Sequence, residues 1–513
     1  MTRAGEPGFE LRGSRRTLRN GVVPPDTGEP DPRRWRVLSV CLVAGFMSLL
    51  DVSIVNVALP SMQDGLGASA AQVSWVVSGY ALTFGLVLVA AGRLGDDRGR
   101  RRMFLLGLGL FVLTSAAAGL APNPEVLVGV RLLQGVAAGM LSPQVVGFIQ
   151  DLFRGPERGT AFGLFGAVVG ISTAVGPLLG GLLLAGAGDA DGWRWVFYVN
   201  IPIGVGALVA AVRLLPADHV GRGRRRPLDL PGTVLLGVAV VTLMLPLVLS
   251  ERDPASAPWW LLGVPLLVLP AFVLWERRAK RVHGHPLIDF ALLRTRSYAV
   301  GATLGMTYFA GFTSIFFVLT LYLQNGLGYT PLLTGLTMTS FALGSAVTSA
   351  LGGRLVSRFG QPMVVVGLAV VLVGLAGTDV VLAATAGSPW TGWAVAGPLL
   401  VAGAGGGLVI APNQTIALSE IPPSSGGTAG GVLQTGQRLG TAIGLSAVGA
   451  VFFGALTATG DWATAISRGL MITVGLVALA LVLGIADLIA ARRRTRRAPV
   501  PEPTHVTGPT GGH

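Results

Sequence analysis

The chain has 513 residues, 51% of them hydrophobic and only 12% charged, with a mean hydropathy of +0.66. A soluble domain carries about 25% charged residues, so half that share cannot coat a water-facing surface of this size, and a soluble globular protein is excluded. The formal net charge of +13 does not mark a nucleic-acid binder either, because the arginines lie between apolar blocks, where they orient spans in a bilayer.

Residues 1–33 are polar, with no apolar run for a signal peptide, and 1–36 reads as a disordered cytoplasmic tail. Apolar blocks of about twenty residues, the length that crosses a hydrocarbon core, then predict fourteen spans. They fall at about 37–59, 73–92, 103–121, 126–148, 162–184, 195–215, 230–250, 258–275, 298–323, 332–352, 362–384, 391–415, 434–457 and 468–491. The eighth is the weakest, short and interrupted by Pro265 and Pro270. A second polar tail, 492–513, closes the chain.

Arginine gives the expected orientation. With a cytoplasmic N-terminus, the cytoplasmic side holds Arg93, Arg98, Arg100, Arg101 and Arg102, the basic stretches 222–226 and 277–296, and the cluster 492–497. The opposite loops hold only Arg194, Arg252 and Arg468. Positive-inside bias therefore predicts both termini in the cytoplasm. The single Cys41 excludes an internal disulfide and a multi-cysteine metal site. His219, His283, His285, His505 and His513 sit in loops or tails, without metal-ligand spacing.

The chain also repeats itself. Gly92-Arg-Leu-Gly-Asp-Asp-Arg-Gly99 parallels Gly353-Arg-Leu-Val-Ser-Arg-Phe-Gly360, 261 residues on. At about thirty residues per span and loop that offset is eight spans, two more than a six-span half requires. The surplus predicts an N-terminal six-helix half (37–215), a linker (216–290) carrying two inserted helices, and a C-terminal six-helix half (291–491). Parallel halves of this kind mark one large transporter class.

The first copy resembles the loop 2–3 signature of the major facilitator superfamily. Gly92 and Gly99 permit a tight turn and close approach. Arg98 completes the basic loop. Asp96 adds a fixed negative charge on the same cytoplasmic face as the start of span 13, which follows the Gly/Ser-rich stretch Ser424 to Gly431 and whose free amides and positive dipole end can attract it. Ser357 replaces the acid in the second copy, so only the first can hold the cytoplasmic side shut in this way.

Leu50-Asp-Val-Ser-Ile-Val-Asn-Val-Ala-Leu-Pro60 resembles the span-1 signature of the fourteen-span drug/proton antiporters. An ionised Asp51 inside a bilayer costs at least about 2.5–3.5 kcal/mol, so it should face a cavity, where it is a natural proton carrier. Arg131, in Leu127-Val-Gly-Val-Arg-Leu-Leu-Gln-Gly135, resembles the span-4 signature tied to proton coupling. Gly166, Gly170, Gly176, Pro177, Gly180 and Gly181 resemble the span-5 antiporter motif, with GxxxG pairs for close packing and a proline that can kink the helix. Trp193 to Pro202, Pro286 to Asp289 and Leu321 to Gln324 resemble the same branch.

The expectation is an all-α major facilitator fold of fourteen helices, not an enzyme, exporting drug-like or antibiotic molecules in exchange for protons by alternating access. Asp51 and Arg131 couple the proton. Gly92, Asp96, Arg98, Gly99, Gly176, Pro177 and Gly180 gate. Trp75, Tyr80, Asn200, Tyr322, Gln324 and Asn413 are cavity candidates by position and amphipathic chemistry. The partners are a small-molecule substrate, protons and the bilayer of the bacterial cytoplasmic membrane, with no nucleic acid, no cofactor and no metal, and the protein acts as a monomer. No GxxxxGK[ST] sequence occurs, which disfavours ATP-driven transport. The alternatives are a proton symporter importing a small solute and a non-transporting receptor or scaffold.

Overall fold

The computed structural model describes residues 31–187, 191–218, 229–250, 257–282, 284, 286–386, 388 and 390–497. The basic stretch 222–226, Arg252 and all five histidines lie outside the described residues, as do the segments before 31 and after 497. Among the described residues every regular element is helical. They are α1 (Arg34–Leu66), α2 (Ala70–Arg98), α3 (Arg100–Gly119), α4 (Pro124–Leu152), α5 (Gly155–Ala187), α6 (Gly192–Tyr198), α7 (Asn200–Leu214), α8 (Leu230–Ser250), α9 (Val264–Val282), α10 (Ala291–Arg294), α11 (Arg296–Leu321), α12 (Pro331–Phe359), α13 (Gln361–Ala384), α14 (Thr391–Ala417), α15 (Gly426–Thr459) and α16 (Trp462–Arg497).

Fourteen stretches are long and apolar enough to cross a membrane, and each of the fourteen predicted spans overlaps one. Two departures have plain causes. The sixth span is two helices, α6 and α7, meeting at Val199. The eighth opens with a 3-10 turn, Trp259–Gly263, and α9 starts only at Val264, which places Pro265 in the first turn, where a missing amide is tolerated. The thirteenth begins at Gly426, eight residues before its apolar block. Its small residues look like loop by composition, yet they are what lets this turn lie directly against α2.

Two six-helix halves surround the middle of the bundle. One core gathers Phe104, Phe111, Phe148 and Phe162 from the first half. A second gathers Tyr308, Phe341, Leu368 and Phe452 from the other. The inserted pair α8 and α9 pack on each other, and α8 also lies on α2 and α15. There Leu82, Met244 and Ala442 form a small cluster, and Ser446 Oγ donates to the Leu247 carbonyl at 2.8 Å. The tight α2–α3 turn depends on Gly99, at φ 113°. A Cβ there would sit 2.2 Å from Cγ of Asp218, whose carboxylate accepts the Arg101 and Arg102 amides.

A buried ion pair, a closed end and a central cavity

Asp51 sits midway along α1, wholly buried, and Arg131 of α4 is 1% exposed. Arg131 Nη1 donates to Asp51 Oδ2 at 2.6 Å. The other carboxylate oxygen accepts from Gln134 Nε2 at 3.1 Å and Asn200 Nδ2 at 3.0 Å. The guanidinium is held in turn by the Val76 carbonyl at 3.0 Å and Gln134 Oε1 at 2.8 Å, and its carbon lies 4.2 Å over the Tyr80 ring. Every charge is therefore answered. Removing one member of such a buried pair costs about 3–5 kcal/mol, because the other charge is left unanswered.

The bundle is sealed at the end bearing Asp96. This carboxylate accepts from the amides of Gly427 (3.0 Å) and Thr428 (2.7 Å), from Thr428 Oγ1 (2.7 Å) and from Arg100 Nη2 (2.7 Å). It thus occupies the positive N-terminal turn of α15, across the bundle. Arg100 adds bonds to the Pro423 carbonyl at 2.5 Å and to the Gly147 carbonyl. Gln150 and Arg158 donate to the Leu418 and Ser419 carbonyls. Arg98 points outward and makes no ion pair among the described residues.

The repeated glycines do parallel jobs here. A Cβ on Gly92 of α2 would lie 2.3 Å from the Gly427 carbonyl oxygen of α15. A Cβ on Gly353 of α12 would lie 2.4 Å from the Gly159 carbonyl oxygen of α5. Each copy lets one helix touch the opposite half backbone to backbone, and Ser357 leaves the second contact without an acid. The α5 motif serves two neighbours. Gly166 and Gly170 face α12, whereas Gly176 and Gly180 close on Ser53, Ile54 and Val57 of α1, and Pro177 touches Gly335 of α12. Gly181 is looser, 4.0 Å from Leu332.

Between the halves lies a cavity of about 250 Å³, walled by α1, α2, α4, α5, α11, α14 and α15. Its lining includes exposed Asn56, a turn beyond Asp51, so it opens toward the end opposite Asp96. None of the six cavity candidates belongs to this lining. Asn200 is spent on Asp51, and Tyr80 lies under Arg131, its hydroxyl on the Ser48 carbonyl at 3.2 Å. Asn413 donates to the Gly301 carbonyl, and Trp75 packs beside α8. Tyr322 and Gln324 belong to a π-helical turn, Tyr322–Gly326, at the far end of α11. Residues that the sequence reading passed over line it instead, notably Gln414, Gln434, Gln437 and Arg438. The signal was present in Arg438, a cation inside an apolar span, the same signal that singles out Arg131.

Comparison with known proteins places these features in context. The family described as Major Facilitator Superfamily matches residues 41–445. A "Probable actinorhodin transporter" of Streptomyces coelicolor is 38% identical over 443 residues, covering 85% of this chain and 75% of that one. A puromycin resistance protein of Streptomyces alboniger is 38% identical over 435 residues, covering 84% of each. Among solved structures, a proton:xylose symporter superposes with a TM-score of 0.63 at 16% identity, over 88% of this chain and 94% of that one.

Proposed function

The chain belongs to the major facilitator superfamily, and from that premise we propose that it exports drug-like or antibiotic molecules across the bacterial cytoplasmic membrane in exchange for protons. The observation that carries the reading is the Asp51–Arg131 pair, an acid and a cation wholly enclosed between helices of one half. In this scheme both termini are cytoplasmic, the Asp96 end is the cytoplasmic gate, and the cavity faces outward. Asp51 takes up a proton from outside, which frees Arg131 and loosens α1 against α4. Because Gly176 and Gly180 tie α1 to α5, and α5 runs along α12, that local change reaches the contact between the halves. The halves then rock, the Asp96 contact breaks, and substrate enters as the proton leaves to the cytoplasm.

The driving force is adequate. One pH unit supplies about 1.36 kcal/mol per proton, and 100 mV adds about 2.3 kcal/mol per net charge moved. Fold alone does not set direction, since the structural neighbour is a symporter. Relatives named for antibiotic resistance and antibiotic transport, at 38% identity, support export. The test is a panel of antibiotics, puromycin and actinorhodin included, given to an efflux-deficient bacterium expressing the chain. Raised resistance that a protonophore abolishes is expected. Resistance unaltered by the protonophore, or increased accumulation of a compound, would count against proton-driven export. A cytoplasm-dependent reporter fused after Arg497 checks the orientation and should be active.

A further inference from the structure

We propose that Arg438 is an anion-binding residue in the wall of the central cavity, and that the chain selects aromatic substrates bearing a carboxylate or another single negative charge. The proposal rests on the reading of the chain as a transporter whose substrate occupies this cavity.

Arg438 lies twelve residues into α15, about 18 Å along the helix at 1.5 Å per residue, near the middle of the bundle. A guanidinium at that depth is costly unless it is paired. The other central arginine, Arg131, has a carboxylate, a side-chain amide and a carbonyl. Among the described residues Arg438 has no ion pair and no hydrogen bond. Its guanidinium carbon lies 4.4 Å from the Phe84 ring, which stacks a cation but supplies no counter-charge. Among the described residues no Asp or Glu lines the cavity, and Arg438 is the one formal charge in its wall.

A second donor stands beside it. Gln434, one helical turn earlier on α15, is 7% exposed, and its Nε2 has no partner among the described residues, while its Oε1 accepts from Ser142 at 2.5 Å. A planar fork and an amide on one wall suit a carboxylate, which takes two parallel N–H bonds. The lone positive charge favours a monoanion over a doubly charged phosphate. The aromatic body is read from Phe309, Phe312 and Phe316 of α11, which supply apolar faces in the same cavity.

The site also lies close to the buried pair. Tyr80 and Phe84 of α2 stack with centroids 6.1 Å apart, with Arg131 over the first ring and Arg438 over the second. The anion site and the Asp51–Arg131 pair therefore contact the two members of one ring stack.

The test is equilibrium binding to the purified full chain in detergent, by calorimetry, with three probes of one shape: 2-naphthoate, uncharged 2-naphthamide and cationic 2-naphthylmethylammonium. We expect 2-naphthoate to bind at least tenfold tighter than the amide, with the cation weakest. Arg438→Gln should erase the ratio, and Arg438→Lys should keep part of it, since charge remains without the fork. Equal or tighter binding of the amide or cation overturns the proposal, as does a ratio unchanged in Arg438→Gln or no binding of any probe at millimolar concentration. Should Arg438→Gln fold poorly, the ranking of the three probes on the unmodified chain still decides. Proton movement is not measured in this experiment. Failure here therefore leaves proton-driven export standing, and failure of proton coupling leaves the anion site standing.

Discussion

Asp96→Asn removes one charge from the sealed end of the bundle while nearly preserving shape. Three of the carboxylate's four bonds cross to α15, from the Gly427 amide and from the Thr428 amide and hydroxyl. The fourth, from Arg100, lies within the same half and survives opening. Hydrogen bonds to a charged group contribute about 1.5–3 kcal/mol each against about 0.5–1.5 for neutral ones. The Asn carbonyl keeps one or two of the three in neutral form, and its NH2 is turned toward donors. The side chain of Asp96 is only 2% exposed, so solvent screening takes little away. The sealed state should lose about 2–4 kcal/mol relative to the open one, and even the lower figure raises the open population about thirtyfold at 1.36 kcal/mol per decade. The assay uses Val146→Cys in a Cys41→Ser background. Val146 is 1% exposed and packs against Gly430 at this end. Maleimide labelling of that cysteine should accelerate at least tenfold in Asp96→Asn. An unchanged rate with transport intact would reduce Asp96 to a topogenic charge and refute the gate.

Gly353→Val should act on the same end by a different route. The new Cβ would lie 2.4 Å from the Gly159 carbonyl oxygen and 2.6 Å from the Gly163 Cα, backbone atoms that cannot step aside. Overpacking of about 1–3 kcal/mol should again quicken Val146→Cys labelling and slow transport; normal transport would contradict the close α5–α12 contact. Asp461 caps α16, and its carboxyl is held below the ordinary range by the Thr464 hydroxyl and the Thr464 and Ala463 amides. A depressed folded-state value means the cap stabilises above the ordinary carboxylate pKa of about 3.9 and is lost as pH falls. Asp461→Asn should therefore lower the melting temperature at pH 7, and the gap to the unmodified chain should narrow as pH falls below the ordinary carboxylate value. A gap that persists undiminished at pH 3 would sink this.

Much of the architecture was legible because the bilayer imposes few solutions. Apolar length alone marks the spans, and the 261-residue repeat exposes the two extra helices. Asp51 and Arg131 stand out because an intramembrane charge demands a reason, and the facing of Asp96 toward the start of span 13 follows from charge against a helix N-terminus. The lining of the cavity was not legible. Which face of a glycine-rich helix turns inward depends on packing in three dimensions, so Phe84 lines the cavity while Tyr80, one turn away, lies under Arg131. Gln134 was hidden for the same reason, and Asn200 was read as cavity lining rather than as a partner of Asp51, since the value of a neutral amide comes only from what it meets. Arg438 was masked by its neighbours, since Gly436, Gly440 and Gly444 on the same helix have the four-residue spacing of a packing row. Of these, Gly440 and Gly444 do meet α11, at the carbonyls of Met306 and Ala310, while Gly436 is looser.

Asp51→Asn tests the central claim most directly. The amide keeps the side chain's shape and some of the bonds to Gln134 and Asn200, but it cannot take up and release a proton. In sealed vesicles with an imposed pH gradient, a compound to which the chain confers resistance should be moved uphill by the unmodified protein, with measurable proton release. Asp51→Asn should fold, insert and still permit downhill exchange, while showing neither uphill movement nor proton release. Uphill transport by Asp51→Asn at an undiminished rate would place the proton site elsewhere and contradict the account.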